Sequence, residues 1–308
     1  MRNWRASLIS AAILAIMGGA GHAQEALRIC VNEDAPPYSA RHKTGGAGFD
    51  LAVAGALAQK LGRPLQLQWF ETKLDDDSSA TLDANALLSD GRCQLLAGYP
   101  LTEDGLGKPG TATARLPDFD GLKPADRRRR IALGTLQPSK PYHFAPLTVV
   151  LGGGATGKTI KTLGDLEGVK IGVEGGTLSD TILMTYGDGR LIDGITHLVP
   201  GRAQLWPGLE RGDFDAALVP LHRFDAYRAE HPDTKVRPSE FLYPVGFNIG
   251  FVGLARDASL LAEVDAALAQ MLASGEIAKL AAPAGMTYLS PRAPDVLKPI
   301  LLTDLKSP

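Results

Sequence analysis

The most literal chemical motif in this 308-residue chain is a phosphate-loop pattern, Gly152-Gly153-Gly154-Ala155-Thr156-Gly157-Lys158-Thr159, preceded by the apolar run Leu147–Leu151. In a nucleotide site such glycines let backbone N–H groups wrap the phosphates while the lysine reaches the outer ones. The context here fails. A sturdy helix must follow directly, and Leu163-Gly164-Asp165-Leu166-Glu167-Gly168 interrupts within a turn. No H-E-x-x-H, G-x-S-x-G or C-x-x-C occurs, and the six histidines are scattered, so nothing nominates a nucleophile with its base. Asp75-Asp76-Asp77 reads as a solvated acidic loop rather than a cation site. No metal and no cofactor is expected.

The residues better suited to chemistry are anchors for a small ligand. Asp34-Ala35-Pro36-Pro37-Tyr38 follows an apolar run, where a rigid turn would present an aromatic face. Gly175-Gly176-Thr177 opens a helix, where a hydroxyl and free backbone N–H groups make an anion site. Turn packing for Tyr38 and a plain helix cap for Thr177 are the bland alternatives. Cys30 and Cys93 are the two cysteines. In an oxidising compartment such a pair favours a disulfide over a metal site, with two buried free thiols as the alternative.

The compartment follows from the N-terminus. Arg2 and Arg5 precede an apolar run, Leu8–Met17, and small residues ending in Ala23. This is the pattern of a signal peptide, cut before Gln24, and the run is too short to span a bilayer. A net charge of −2 gives no reason to expect nucleic acid or an anionic membrane as partner. The one basic cluster, Arg127–Arg130, reads as a solvated face.

The elements that must position these residues alternate strand and helix, which favours an α/β fold. Strands are expected at Leu27–Val31, Leu65–Phe70 and Gln94–Ala97, with a helix between the first two in which Phe49, Val53, Leu57 and Leu61 fall at i+4 steps. Glu103–Arg130 breaks the rhythm and reads as a long irregular insertion. The alternation restarts with strands at Leu147–Leu151, Val169–Val173, Phe214–Val219 and Phe247–Leu254, and a helix with Leu261, Val264, Leu268 and Met271 on one face ends at Gly275. Two lobes linked by two crossings (Phe144–Leu151 and Tyr243–Phe251) are expected, with a ligand cleft between them.

In order and spacing, five stretches resemble the extracellular solute-binding proteins of the amino-acid-binding type that serve ABC importers. They are Leu27–Tyr38 with Gly48-Phe49-Asp50-Leu51, Ser139-Lys140-Pro141-Tyr142, Thr162–Val173 leading to Gly176-Thr177, Leu209–Ala216, and Gly246–Leu280. The resemblance implies the type II fold of periplasmic binding proteins. Its first lobe would be residues 24–151 plus 251–308, its second 152–250. It also implies a ligand held by Asp34, Tyr38, Ser139, Tyr142, Gly176, Thr177 and Asp215, with Tyr38 stacking and Ser139 and Thr177 hydrogen-bonding. Two departures argue against a standard amino acid. The family's carboxylate-clamping arginine is missing from Leu101–Gly105, and the acid that holds the α-amino group is missing near Pro220. One of Arg127–Arg130 is a candidate replacement for the clamp.

A narrower resemblance rests on Arg28-Ile29-Cys30-Val31, Leu61-Gly62-Arg63-Pro64 and Gly91-Arg92-Cys93. These are similar to the subgroup associated with PQQ-dependent quinoprotein alcohol dehydrogenases. The expectation is therefore a periplasmic, monomeric, non-enzymatic protein. Its partner would be either an ABC permease, to which it delivers a small polar solute, or a periplasmic quinoprotein dehydrogenase, onto which it docks with a degenerate cleft.

Overall fold

The computed structural model describes residues 25–41, 46–72, 79–155, 157–202 and 204–305. The expected signal peptide and the acidic run Asp75-Asp76-Asp77 lie outside the described residues.

Strand β1 (Leu27–Asn32) runs into a tight turn carrying the short strands β2 (Asp34–Ala35) and β3 (Ser39–Ala40), and helix α1 (Phe49–Lys60) follows. Phe49, Val53 and Leu57 are fully buried, as their spacing requires. Each such side chain contributes roughly 1.5–3 kcal/mol on leaving water. Next come β4 (Leu65–Glu71), α2 (Ala80–Ser89) and β5 (Leu95–Pro100). After the short strands β6 (Thr113–Ala114), β7 (Asp118–Phe119) and β8 (Ile131–Ala132) comes the 16-residue β9 (Leu136–Leu151). The second half is built from β10 (Ile171–Glu174), α3 (Leu178–Thr185), β11 (Ile195–Leu198), α4 (Leu205–Arg211), β12 (Ala216–Pro220) and α5 (Leu221–Glu230). The 18-residue β13 (Arg237–Leu254) leads to α6 (Ala258–Ala273), α7 (Glu276–Ala281) and the short α8 (Leu302–Leu305).

One mixed sheet holds nine strands in the order β11-β10-β12-β9-β13-β5-β1-β4-β7. β1 pairs parallel with β4 and β5, and β10 pairs parallel with β11 and β12. Between these groups β9 and β13 run antiparallel to each other for nearly their whole length. The crossings, expected as strand-like over Phe144–Leu151 and Tyr243–Phe251, are strands, longer than expected and shared by both halves. Prolines hid their length from the sequence. Pro138, Pro141 and Pro146 remove N–H donors from β9, and its register against β13 shifts at several points, two of them beside Gly250, the partner of Pro141.

Two further expectations change. Residues 103–130 are not irregular throughout: β7 extends the sheet beside β4, β6 pairs with β8, and Ala114, Leu116, Phe119 and Ile131 are buried in one core cluster with residues of α2. The C-terminal tail does not stay with the first half. Leu305 lies in the second half's core with Leu147, Ile171 and Leu218. On the way Asn248 holds the tail, its amide donating to the carbonyls of Arg292, Pro294 and Asp295 and accepting from the Arg292 N–H. The Arg292 guanidinium lies 3.9 Å from the Phe144 ring centroid and donates to the Pro244 carbonyl. The tail thus straps the two halves together across the shared strands.

The phosphate-loop pattern is a loop. After β9 the chain makes a short turn at Gly153–Ala155, and among the described residues no α-helix follows before Leu178. Gly152 has a packing role, since a Cβ there would lie 2.5 Å from the Leu209 carbonyl oxygen.

Cys30 and Cys93 form a disulfide with Cα atoms 5.5 Å apart. It closes a loop across 63 residues, a constraint on the unfolded chain of about 4 kcal/mol in the entropic account. A Cys30→Ser/Cys93→Ser double variant should lose roughly 2–5 kcal/mol in urea unfolding. An undiminished midpoint would show that the bridge adds nothing to stability.

Candidate functional site

The carboxyl ends of the parallel strands in both halves point at the middle of the shared pair. Pro100 at the end of β5 pairs with Ile249, and Pro220 at the end of β12 pairs with Leu147. Loops leaving such ends are where open α/β sheets bind ligands.

From the first half, the turn after β1 delivers Tyr38. Gly48 allows this, because a Cβ on it would sit 2.3 Å from the Tyr38 carbonyl oxygen. From the second half, the first turn of α5 delivers His222, whose ring centroid lies 4.9 Å from that of Tyr38. His143 of β9 packs behind them, 6.0 Å from Tyr38 and 5.7 Å from Phe49. Tyr288 of the C-terminal tail packs 5.8 Å from His143. The Tyr38 hydroxyl, His143 Nδ1 and His222 Nδ1 are all buried with no hydrogen-bond partner among the described residues. Burial pushes His143 down to about 3, helped by neighbouring His222. It pushes His222 down to about 4, helped by Arg223. Both imidazoles are neutral at ordinary pH.

Two chambers lie beside the Tyr38–His222 pair, one lined by His222 and the other by Tyr38. The one in the second half has a volume of about 180 Å³ and is walled largely by apolar groups, among them Ala145, Leu147, Leu218 and Phe247. Its charged groups, Glu174 and Arg223, are bonded to each other in a bidentate pair. The chamber in the first half, of about 130 Å³, is lined by Asn32, Tyr38, Asp50, Thr72, Gly98 and Tyr99 among others. Asp50 is 3% exposed. The Tyr142 hydroxyl donates to its Oδ1 at 2.7 Å and accepts in turn from the Gly98 N–H at 2.8 Å. Desolvation outweighs that hydrogen bond and raises the Asp50 carboxyl to about 7.

The expected site residues divide accordingly. Tyr38 lines the first chamber and Thr177 the second, while Tyr142 stands behind the first with its hydroxyl engaged by Asp50 and Gly98. Ser139 is not aimed at the cleft: its hydroxyl donates to the Lys140 carbonyl and accepts from the Phe251 N–H. Asp34 is exposed and lines neither chamber, its N–H donating to Asn32 Oδ1. The anion site expected at α3 is filled from within. Asp180 accepts from the Gly176 N–H, and the Thr177 hydroxyl accepts from the Asp180 N–H. Asp215 precedes β12 at the end away from the cleft, about 16 Å along the strand from Pro220. Of the basic cluster, Arg127 pairs with Asp118 and Arg129 with Asp90 and Asp126.

Reading the residues alone missed Asp50 as more than a signature position, and missed His143, Glu174, His222, Arg223 and Phe247. His222 and Arg223 directly follow a strand whose carboxyl end opens on the cleft, and that signal was available. Among the described residues no group of three or more His, Cys, Asp or Glu is placed to hold a metal. No helix among them is long and apolar enough to cross a membrane.

No family model matches the chain, and no curated protein matches its sequence. Solved structures do. The L-cystine solute receptor of Neisseria gonorrhoeae, unliganded and open, superposes with a TM-score of 0.61 at 21% identity, covering 87% of this chain and 96% of the receptor. Substrate-binding domain 2 of Lactococcus lactis GlnP, also open, gives 0.58 at 18%, covering 83% and 93%. A histidine kinase sensor domain similar to periplasmic binding proteins gives 0.51 at 18%, covering 86% and 98%. The chain therefore has the α/β fold of type II periplasmic binding proteins. Its structural neighbours include solute-binding proteins of the amino-acid-binding family, and the sensor domain shows that the fold by itself leaves the role open.

Stability should report the buried imidazoles. Unfolded, His222 takes up a proton below about pH 6.5; folded, it resists until about 4. Between those values the native state binds fewer protons, so this contribution is lost as pH falls. Asp50 acts in the opposite sense between about 4 and 7, being protonated when folded and ionised when unfolded. Replacing His222→Asn should therefore lower the slope of unfolding free energy against pH, by up to about 1.4 kcal/mol per unit between pH 4.5 and 6. An unchanged slope would mean that His222 protonates as freely in the native state as in the unfolded one.

Proposed function

We propose that this chain is an exported, monomeric receptor that captures a small organic solute between its two halves, without transforming it, and delivers it to an ABC importer. The observation that carries this reading is the cleft itself. Strand ends from both halves converge on chambers that meet at one ring contact, so a ligand touching both halves would bias any hinge between them. The division into two lobes that rotate about β9 and β13 belongs to the same proposal, as does a periplasmic location after removal of residues 1–23. The second-half chamber further restricts the solute. Its walls are mostly apolar and its ion pair is self-compensated, which suits a compact, weakly polar molecule better than a zwitterion that needs a free cation and a free anion. Phe247 would form part of the wall against the solute.

A thermal-shift panel of amino acids, organic acids, alcohols, amines and sugars tests the reading. A solute at a hundred times its Kd adds about 2.7 kcal/mol of stability. Phe247→Ala should weaken a solute bound in the second-half chamber about tenfold or more while the chain stays folded. Stabilisation by no member of the panel would contradict solute capture.

The self-filled cleft favours a second reading. Tyr38 and His222 occupy each other's faces, so the same fold could serve as a docking accessory of a PQQ-dependent alcohol dehydrogenase in the periplasm, its cleft degenerate. That reading requires a complex with the dehydrogenase together with a silent solute panel.

A further inference from the structure

The first-half chamber brings together features that the fold does not need. Among the described residues Asp50 is the one charged residue lining it. Its Oδ1 is taken by Tyr142, and no ion pair involving Asp50 is found among the described residues. Gly98 lets Oδ2 pack close against the β5 backbone: a Cβ on it would lie 2.4 Å from that oxygen, and Gly98 has φ +73°. Tyr38 lines the same chamber, and its hydroxyl is buried without a partner among the described residues. The other polar groups of the wall are already engaged. Tyr99 donates to the Gly105 carbonyl, Ser39 to the Asn32 carbonyl, and the Asn32 amide to Thr72.

What remains open is a carboxyl oxygen, which when ionised can only accept, and a hydroxyl, which can accept as well as donate, so a hydrogen-bond donor would serve both. A buried carboxylate with no cation is costly, and it is relieved either by protonation or by a positive partner. An ammonium supplies both the charge and three donors. The chamber, at about 130 Å³, is slightly smaller than the roughly 150 Å³ cavity that admits benzene, so only a short alkyl chain fits beside the charge.

We infer that the first-half chamber is a binding site for a small primary ammonium ion, with Asp50 Oδ2 as its counter-ion and the Tyr38 hydroxyl as its second acceptor. This rests on the reading of the cleft as solute-binding and names the chemistry of one of its two ends. The groups facing Asp50 are Tyr142 from β9, the Gly98 backbone from β5 and Tyr38 from the turn after β1; Asp225, His143 and His222 stand near Tyr38. Because burial holds the Asp50 carboxyl near 7 and both imidazoles stay neutral there, the carboxyl is the group that titrates around neutrality. A primary amine stays protonated to about pH 10, as lysine does. Its affinity should then rise by up to about tenfold per pH unit below 7 and level off above it.

The test is calorimetry and thermal shift of the full mature chain with ethylammonium chloride, compared at equal ionic strength with sodium chloride, sodium acetate and ethanol, at pH 6 and pH 8. Ethylammonium should bind, several-fold more tightly at pH 8. Asp50→Asn, which keeps an oxygen for Tyr142, should weaken it at least tenfold and remove the pH dependence. Tyr38→Phe, which keeps the ring against His222, should weaken it several-fold; it guards against a folding defect in the first variant. Ethylammonium binding that survives Asp50→Asn in a folded chain overturns the assignment. Binding of acetate or ethanol with none of ethylammonium also overturns it while leaving solute capture standing. Silence from these probes together with the wider panel would overturn both.

Discussion

The structure depends on the antiparallel pairing of two strands that each belong to both halves of the molecule. β9 and β13 pair from Leu136↔Leu254 at one end to Leu151↔Arg237 at the other. On one side β13 carries β5 and through it β1, β4 and β7; on the other β9 carries β12, β10 and β11. Because β1, β4 and β5 on one side and β10, β11 and β12 on the other are parallel and meet an antiparallel pair, their carboxyl ends face the same central zone from opposite sides. The cleft is thus a consequence of strand direction, and the side chains in it are those that the loops leaving β1 and β12 put there.

What fills that zone is the chain's own aromatic surface. Tyr38 against His222, with His143, Phe49 and Tyr288 behind, buries polar atoms that find no partner among the described residues. Each buried, unsatisfied polar group costs on the order of 1–3 kcal/mol. Such a cost is unusual in a purely structural core and common where a ligand completes the hydrogen bonding. The C-terminal strap, held by Asn248 and anchored by Leu305, adds a connection between the halves beyond the two shared strands. Any hinge motion must carry that strap with it.

Much of the scaffold was legible in the residues. The i+4 stripe of Phe49, Val53 and Leu57 specified α1 and its buried face, and the export pattern with two cysteines pointed to the disulfide that is found. The shared strands were only half legible, because Pro138, Pro141 and Pro238 interrupt the strand signal and are accommodated only by shifts against a partner about a hundred residues away. The insertion was misread for a related reason: its order comes from Leu116 and Phe119 reaching a distant core, which leaves no local periodicity. The site was least legible. The Gly176 N–H is taken by the Asp180 carboxylate and the Thr177 and Ser139 hydroxyls bond backbone groups, and nothing in a linear sequence says that Asp180 fills the helix terminus or that Phe251 takes the Ser139 hydroxyl. Asp50 and Gly98 are brought face to face only by the packing of α1 on β5.

The central claim is that the two halves meet through the Tyr38–His222 ring contact. A double-mutant cycle in unfolding free energy with Tyr38→Leu, His222→Leu and the pair measures it directly. A coupling energy of about 0.5–1.5 kcal/mol is expected, the scale of a tilted aromatic pair. Effects that add to within about 0.3 kcal/mol would contradict it and would mean that the cleft is not held by this contact.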